Sequence, residues 1–499
     1  MKSVPFVVAL FLLATPVRAD VIEQGPKDSP PSGLLAGVAR ADITPPAGIA
    51  HLNWGSQTHV EAAGIDPAGM IATALVLSDG RQKFAMVDID AISVEGLEDV
   101  IPIAAARTGI PAGHIRLAAS HTHAGPSVSS VRIPMGMDIT QHQRTYDAHI
   151  AVVKEKIVGA ILEATSKLET AHLHGAKGTG TININRRVRA AGGNPPAVGR
   201  NPEGFVDRDL VVARIDDARG RPIAVLVNFQ CHGTVLAYEN KLISPDWIGT
   251  MRRVVEQALP GAKCLFLQGA AGNQGPVEGF TGDLGVAQRL GTILGHQAAA
   301  LALGVETVRR EPKFEGFVES TAYQAKQHWR VLGPRDALLK FARMTVEVPR
   351  RRYTAEDIEG MEQKVREARA RLEQAGPADP WKKHQANARL RRFSNLLEDW
   401  KKPHDPRPLP VEIQILRAGE VAIVAMPGEP FAEISVAVKK ASPFPITMFC
   451  GYSTGAGGDY MPIAEEYSHG GYEVERTPYA PESAGIVIRE ATALLRQIH

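Results

Sequence analysis

Short apolar runs alternate with longer amphipathic stretches along most of this chain of 499 residues. Short apolar runs favour buried strands, whereas apolar residues spaced three and four apart over a longer stretch favour helices. The predicted strands are 72–77, 83–89, 115–119, 210–215, 223–229, 263–267, 411–416, 421–425 and 446–450. The predicted helices are 144–168, 247–259, 284–301 and 484–497. This alternation predicts an α/β fold, a layered mixed β-sheet core flanked by helices.

Residues 355–402 depart from that pattern because they are rich in Glu, Lys, Arg and Gln. Apolar residues recur there at helical spacing, and Gly376-Pro377 interrupts the run before a second helix that ends near Trp400. We therefore expect an inserted helical hairpin. Its charges are most simply a solvated face, and contact with a partner or a membrane surface is the alternative.

The first residues have the pattern of a secretory signal. Lys2 precedes an apolar run, and small residues at Val17 and Ala19 suit cleavage before Asp20. We predict a signal peptide at 1–19, a flexible leader at 20–34 and one folded domain at 35–499, and we expect an exported protein, secreted or periplasmic. No later apolar run reaches the ~18 residues of a membrane span, so we expect no transmembrane segment.

Charge and cysteine content exclude several classes of protein. Lys and Arg number 56 against 54 Asp and Glu, a net charge of +2, which lacks the basic excess of nucleic-acid-binding proteins. The cysteines are Cys231, Cys264 and Cys450, and their spacing includes no CxxC pair. A disulfide scaffold and a cysteine zinc site are therefore excluded, and buried free thiols are the expected state.

Histidines and a carboxylate follow three of the predicted strands. His121 and His123 come directly after strand 115–119, His232 follows strand 223–229, and Glu429 follows strand 421–425 between a glycine and a proline. Ligands bind at such strand ends in α/β sheets, and two imidazoles with one carboxylate form a plausible catalytic zinc set. A second pair, His172 and His174, is interpreted as the exposed face of a strand.

Two glycine-containing segments are further candidates for chemistry. The loop 268–276 is glycine-rich and lets backbone approach a ligand closely, but no Gly-Lys-Ser/Thr follows, so it is not a phosphate loop. Residues 451–455 match the GxSxG nucleophile elbow at Ser453. That motif requires a helix next, whereas Gly457-Gly458 follows here, so a serine hydrolase is the weaker alternative.

Taken together, these segments resemble the neutral/alkaline, non-lysosomal ceramidase family. The resemblance covers about residues 36–497 and rests on markers that occur in the family's order. They are the opening 37–46, the SHTHAGP stretch at 120–126, NINR at 183–186, His232, the loop 268–276, Pro427-Gly428-Glu429 and the EEY…YE segment at 465–473.

The resemblance implies a zinc-dependent amide hydrolase that acts on a small-molecule or lipid amide. It implies that Zn²⁺ is held by His121, His232, Glu429 and Tyr467. It also implies that His123, Arg186 and Tyr479 line the scissile amide, with Gly272 and Gly275 contacting substrate. Neither tyrosine is indicated by spacing alone.

Two departures from the family pattern leave the substrate open. The family's glycine-rich loop carries a serine where this chain has Gly275, which excludes a covalent serine mechanism at that point and leaves hydrolysis by water. Ceramide-cleaving members continue into a C-terminal β-sandwich, whereas this sequence ends soon after the predicted helix 484–497. A different ester or amide substrate, or a non-catalytic binding role, therefore stays an alternative.

Overall fold

A computed structural model describes residues 33–51, 54–126, 140–375 and 379–499. Its strands, in chain order, are β1 (Leu35–Asp42), β2 (Gly64–Ile65), β3 (Ile71–Ser78), β4 (Lys83–Ile89), β5 (Ile115–Ala119), β6 (Glu169–Thr179), β7 (Asn183–Val188), β8 (Ala197–Asn201), β9 (Asp209–Asp217), β10 (Pro222–Phe229), β11 (Leu242–Ile243), β12 (Lys263–Gln268), β13 (Gln274–Pro276), β14 (Val308–Val318), β15 (Gln324–Pro334), β16 (Leu339–Val348), β17 (Leu409–Ala418), β18 (Val421–Ala425), β19 (Glu429–Pro430), β20 (Ile446–Cys450) and β21 (Tyr460–Met461). The α-helices are α1 (Val100–Thr108), α2 (Thr140–Ser166), α3 (Asp246–Ala258), α4 (Leu284–Gly304), α5 (Ala355–Gln374), α6 (Pro380–Lys401), α7 (Ala432–Ala441), α8 (Tyr472–Arg476) and α9 (Ser483–Ile498).

Two mixed sheets form the framework. The larger has eight strands in the order β12-β10-β9-β6-β1-β3-β4-β5, and the smaller has the order β16-β17-β18-β20. The pairs β10/β12, β4/β5 and β18/β20 are parallel, and the other neighbours in these sheets are antiparallel. The predicted α/β fold with a mixed sheet core and flanking helices is confirmed.

Alternating side chains explain how the layers pack. In β10, Leu226 joins the apolar core shared with the smaller sheet, whereas Val225 packs against α3 and α4. In β18, Ile423 faces that shared core and Val424 packs against α7 and α9. Because successive residues of a strand point to opposite faces, both sheets bury apolar side chains on two sides.

The eight-stranded sheet is curved so that its two edges approach each other. The backbone N–H of Phe266 in β12 donates to Asp88 Oδ2 in β4, at 2.7 Å, although these strands lie near opposite edges of the sheet. Just beyond the strand ends, Thr122 and Gly233 form an isolated parallel bridge. This curvature brings the segment that follows β5 beside the segment that follows β10.

The predicted insertion is a pair of antiparallel helices, α5 and α6, with a small apolar core of its own. Met361, Val365, Phe393 and Trp400 are buried in it, and Tyr353 stacks on Trp400 with ring centroids 4.3 Å apart. The predicted signal peptide, most of the leader and the Gly376-Pro377 break lie outside the described residues. No described helix is both long and apolar enough to cross a membrane.

The sequence analysis missed several strands, chiefly β1, β6, β7, β14, β15 and β16. In most of them apolar residues alternate with polar ones, whereas β1 begins with the short run Leu35-Ala36-Gly37-Val38-Ala39. The pair His172 and His174 lies on β6 with partly exposed side chains. The predicted strand is confirmed, but its face is less exposed than expected, because the His174 side chain is 18% exposed and lies 3.2 Å from Glu420. The three cysteines are free and buried, also as expected.

Candidate metal and catalytic site

The site lies where the converging edges of the large sheet meet the carboxyl end of β18. The side chains of His121, His123 and His232 each offer a ligand nitrogen, and these nitrogens all lie within 4.8 Å of one another. Glu429 completes the group, because its Oε2 lies 3.2 Å from His232 Nε2 and 3.6 Å from His121 Nε2. The predicted strand-end residues therefore form one cluster.

Backbone carbonyls fix the tautomers of two of these histidines. His121 Nδ1 lies 2.6 Å from the Ile92 carbonyl oxygen, and His232 Nδ1 lies 3.1 Å from that of Gln274. A carbonyl oxygen only accepts, so each Nδ1 must carry the proton and each Nε2 presents a lone pair to the Glu429 carboxylate. These repelling acceptors fit a cation placed between them, and the second ring nitrogen held by a carbonyl is typical of histidine metal ligands.

Burial keeps the imidazoles neutral. It lowers the pKa of His232 to about 3, with Arg186 and His121 adding to the effect, and it lowers the pKa of His121. The pKa of His123 is lowered well below its usual value, first by burial and then by the two neighbouring imidazoles. Neutral imidazole is the form that binds metal, so the ligands are ready at neutral pH.

His121 adopts a left-handed backbone conformation, with φ of 63°. Tyr452, which follows β20, does the same at 56°, and its hydroxyl lies 3.3 Å from Glu429 Oε2. Such conformations cost of order 1–3 kcal/mol for residues other than glycine and cluster at functional sites. Here the conformation directs both side chains towards Glu429.

Arg186 lies beside the cluster and is held from two sides. Its Nε donates to Glu473 Oε1 at 3.0 Å and its Nη2 donates to the Tyr460 hydroxyl at 3.1 Å. Burial opposes the charge, yet the fields of Tyr460, Glu473 and Glu429 raise the pKa of Arg186 above its usual value. The guanidinium is therefore a fixed positive charge next to the cluster.

The structure does not bring Tyr467 and Tyr479 to this cluster. The Tyr467 hydroxyl donates to the Tyr479 carbonyl oxygen at 2.8 Å, and the Tyr479 hydroxyl both donates to and accepts from the backbone of Gly458. The assignment of Tyr467 as a ligand and of Tyr479 as a group at the amide is corrected accordingly. The phenols that adjoin Glu429 and Arg186 are those of Tyr452 and Tyr460.

A strand-end rule applied to every strand identifies Tyr452, since it follows β20 as Glu429 follows β18. No such signal marks Tyr460, which reaches the site because β21 pairs with β19 and sets Tyr460 opposite Glu429. Glu473 is equally unmarked in the sequence. Its role depends on the contact with Arg186 across 287 residues.

The predicted substrate glycines occupy two different positions. Gly275 lines a cavity of about 150 Å³ together with Arg186, Thr234 and Phe280. The Phe280 ring contacts Trp54, whose ring lies 4.9 Å from that of His123. An aromatic wall thus links the cavity to the histidines. Gly272 lies instead behind Glu429, where its N–H donates to the Pro430 carbonyl oxygen.

Ser453 is placed where it cannot act as an elbow nucleophile. It is buried, its Oγ donates to the Met426 carbonyl oxygen at 2.9 Å, and no helix follows it directly. The GxSxG match is therefore structural.

The known proteins that this chain resembles are neutral ceramidases. The family model for neutral/alkaline non-lysosomal ceramidase, N-terminal, matches residues 34–282. Neutral ceramidase A of Dictyostelium discoideum is 28% identical over 171 residues, which are 33% of this chain and 24% of that protein. The neutral ceramidase of Pseudomonas aeruginosa is 27% identical over 278 residues, or 54% of this chain and 39% of that one. The matched stretches are thus well under half of these relatives.

The folds correspond over a larger part of the chain. The crystal structure of neutral ceramidase from Pseudomonas aeruginosa matches with a TM-score of 0.59 and 20% identity, over 93% of this chain and 75% of that chain. A ceramidase complexed with C2 matches with a TM-score of 0.61 over 93% and 76%. This likeness shows a shared fold. The family model, supported by the curated relatives, shows that the chain belongs to the neutral/alkaline non-lysosomal ceramidase family.

Proposed function

We propose that the protein is a zinc-dependent hydrolase of amide bonds whose substrates are N-acyl amines of the ceramide type. One observation carries the proposal. Two neutral imidazoles direct unprotonated nitrogens at one ionised carboxylate, with a third imidazole beside them. Nitrogen and carboxylate ligands in this number suit zinc, with His121, His232 and Glu429 as its ligands.

His121, His232 and Glu429 would hold the zinc ion, which would supply Lewis-acid chemistry by polarising a substrate carbonyl and lowering the pKa of a water molecule towards neutrality. The chain's own residues supply the remaining functions. Arg186, fixed by Glu473 and Tyr460, is placed to stabilise negative charge on the amide oxygen. Removing one such donor typically costs about 2.7–4 kcal/mol of transition-state stabilisation.

His123 is the group suited to move a proton. Its Nδ1 has no hydrogen-bond partner among the described residues, and its ring is neutral and adjoins both the cluster and Trp54. A neutral imidazole accepts a proton from the attacking water and returns it to the departing amine nitrogen. Trp54 and Phe280 limit the access of solvent on that side.

The substrate follows from the walls of the cavity and from the family. The aromatic pair Trp54 and Phe280 supplies apolar surface, while Arg186 supplies the polar group that orients an amide. Gly275 offers no nucleophilic side chain, so attack by water is the mechanism that this site supports. The names of the relatives favour ceramide, and a related N-acyl amine is the alternative that a substrate panel distinguishes.

Metal analysis combined with hydrolysis of an N-acyl panel tests the proposal. We expect one zinc per chain in the wild type, with loss of both metal and amine release in H121A/E429A and in H232A. His172→Ala, on the partly exposed face of β6, is the matched control and should keep both. Full zinc and undiminished hydrolysis in the double variant would assign the chemistry to another place.

The two competing functions predict different results. A serine esterase would lose activity in Ser453→Ala and would be indifferent to chelators. A binding protein would hold an N-acyl ligand without releasing the amine. We expect S453A to remain zinc-dependent and active.

We further propose that the protein is exported, on the basis of the Lys2-to-Ala19 pattern. Expression of the complete chain in a bacterial host should yield periplasmic or secreted protein whose first residue is Asp20. N-terminal sequencing measures this, and a cytoplasmic product that begins at Met1 would contradict it.

A further inference from the structure

The hairpin formed by β14 and β15 has two unlike faces. The register pairs Pro312 with Trp329, Phe314 with Gln327 and Phe317 with Ala325, which places these residues on one face. Val331 lies on the same face, and the Tyr323 ring adjoins the Phe317 ring. We call this set the apolar hairpin face: Phe314, Phe317, Tyr323, Trp329 and Val331. Its members are 55% to 75% exposed, and they form a contiguous group, whereas other exposed large apolar side chains such as Val152 and Phe205 lie elsewhere on the surface.

The opposite face of the hairpin is charged and internally paired. Glu311 pairs with Arg330, and Glu315 binds Lys326 at 3.3 Å and His328 at 2.7 Å. Arg310 does not belong to this face, because it lies opposite Val331 and over the Trp329 ring, at the edge of the apolar hairpin face, where Glu306 binds it at 2.9 Å. These cations are therefore already neutralised. Among the described residues, Arg309 and Lys313 are the cations of the two strands without an ion pair, so the positive charge that could attract an anionic lipid surface is small.

The hairpin leaves the molecule at the end opposite the catalytic cluster. Thr307, next to β14, bonds to Asp216 at 2.8 Å, and Asp216 pairs with Pro222 at the start of β10. On the other side, Arg335 bonds to Glu420, just before β18 begins. The cluster follows the far ends of the same two strands. A bilayer on the apolar hairpin face would thus lie away from the cavity that takes the substrate.

A two-stranded hairpin is at best marginally stable in water unless something covers its apolar face. Apolar on one side and charged on the other, it has the pattern of half a β-sandwich. The five side chains expose about 600 Å², at roughly 150–250 Å² for each full aromatic side chain. Stable interfaces bury about 800 Å² per partner. The five side chains, together with Pro312, Ala325 and Gln327, would bury about this area if an identical face covered them.

We infer that the apolar hairpin face binds the same face of a second copy of this chain, forming a four-stranded β-sandwich at the centre of a two-fold dimer. The five apolar side chains are self-complementary, and the charged residue that shares their face, Arg310, is already paired with Glu306, so no unpaired charge there opposes its own image. Two-fold homodimers are also the commonest soluble oligomers. The charged faces then point outwards into solvent on both sides.

The first test measures mass in solution by sedimentation equilibrium of the full chain. We expect the wild type to have the mass of two chains and F317S/W329S to dissociate, with a dissociation constant raised about 100-fold or more. Lys326→Ser, on the charged face, is the control and should stay dimeric. Both replaced residues are exposed and far from the cluster, so hydrolysis per chain should be unchanged, which shows that the variant is folded.

A second test locates the contact. Neighbouring residues of β15 point to opposite faces, so Gln327→Cys and Lys326→Cys form a matched pair with the native thiols buried. A short bis-maleimide should join Q327C chains into covalent dimers and leave K326C chains single. A monomeric wild type at every concentration, or equal cross-linking of the two variants, would overturn the inference. So would a monomer that floats with lipid vesicles, which would make a bilayer the occupant.

Discussion

At the scale of single residues, Arg252 shows how α3 is tied to the sheet. It is almost fully buried and donates to Asp88 at 2.6 Å and to Asp90 at 2.8 Å. Burial raises the pKa of Asp88 to about 6, although Arg252 acts in the opposite direction. Removing one partner of a buried ion pair leaves a charge without compensation, which costs more than the pair contributes.

We therefore expect Arg252→Met to lower the free energy of unfolding by about 3–5 kcal/mol. The neighbouring Arg253→Met, whose guanidinium is exposed and bonds only to Thr250 among the described residues, should change it by less than about 0.5 kcal/mol. Urea denaturation measures both.

The folded-state pKa of Asp88 exceeds the unfolded value of 3.8, so this carboxyl weakens the fold as pH rises from about 4 to 6. The loss of unfolding free energy in R252M should accordingly be larger at about pH 8 than at about pH 5. Equal losses in R252M and R253M would refute this explanation.

The two glycines predicted to bind substrate provide a second test. A Cβ at Gly272 would lie 2.4 Å from the Glu429 carbonyl oxygen, whereas a Cβ at Gly275 would lie 3.3 Å from Arg186 Cβ. Gly272→Ala should displace Glu429 and weaken zinc binding about 10–100-fold, as loss of support for a ligand typically does. Gly275→Ala should bind zinc as the wild type does. Competition with a chromophoric chelator measures the affinities, and equal values would show that the Glu429 backbone can move freely.

Local sequence patterns predict some residues of the candidate site and not others. His121, His232 and Glu429 were found because each directly follows an apolar strand, where backbone geometry fixes the outcome. Tyr467 was wrongly assigned because its segment is matched by similarity alone, and its hydroxyl is bound by the Tyr479 carbonyl. Tyr460 and Glu473 depend on contacts between distant segments, which no local pattern encodes.

At the scale of elements, the apolar strands were predicted well because they are buried on both faces. Strands β14 and β15 were missed because their charged face gives them the composition of a loop. The inserted helices α5 and α6 were predicted from spacing and carry clear end signals. Thr354 and Asp357 form a capping box, and Asp379 caps α6.

We expect the α5–α6 pair to open independently of the sheets, since its core is separate from theirs. Thr354→Ala removes the cap of α5 and should cost about 1 kcal/mol locally. Amide exchange in 355–374 should then accelerate several-fold while β10 and β18 keep their protection. Thr145→Ala, in the interior of α2, is the control and should leave exchange unchanged. Faster exchange throughout the molecule would show that the pair is not an independent unit.

At the scale of the whole molecule, the residues proposed to hold zinc come from both sheets. His121 and His232 follow strands of the large sheet, whereas Glu429 follows β18 of the small one. A cation bound by all three would therefore add a link between layers that already meet through apolar contacts and through the hydrogen bonds between Asn228 of β10 and Phe449 of β20. Binding to the folded state alone adds to its stability.

Zinc should accordingly raise the melting temperature of the wild type in a concentration-dependent way. At about 1,000 times its dissociation constant, a ligand adds about 4 kcal/mol to the free energy of unfolding. Scanning calorimetry with chelator and with added zinc measures the shift, and His232→Ala should show none. A wild-type melting temperature that does not change with zinc would mean that the cluster does not hold the ion in the folded protein.

Because the proposed ligands are divided between the sheets, we expect metal binding to be lost before the sheets themselves unfold. Parting the layers by an ångström or two separates Glu429 from the imidazoles while every strand keeps its own ladder intact. Catalytic capacity would vanish at a temperature where circular dichroism still registers a complete secondary structure. Cooling would then restore turnover without any refolding step, so brief heating would inactivate the protein reversibly.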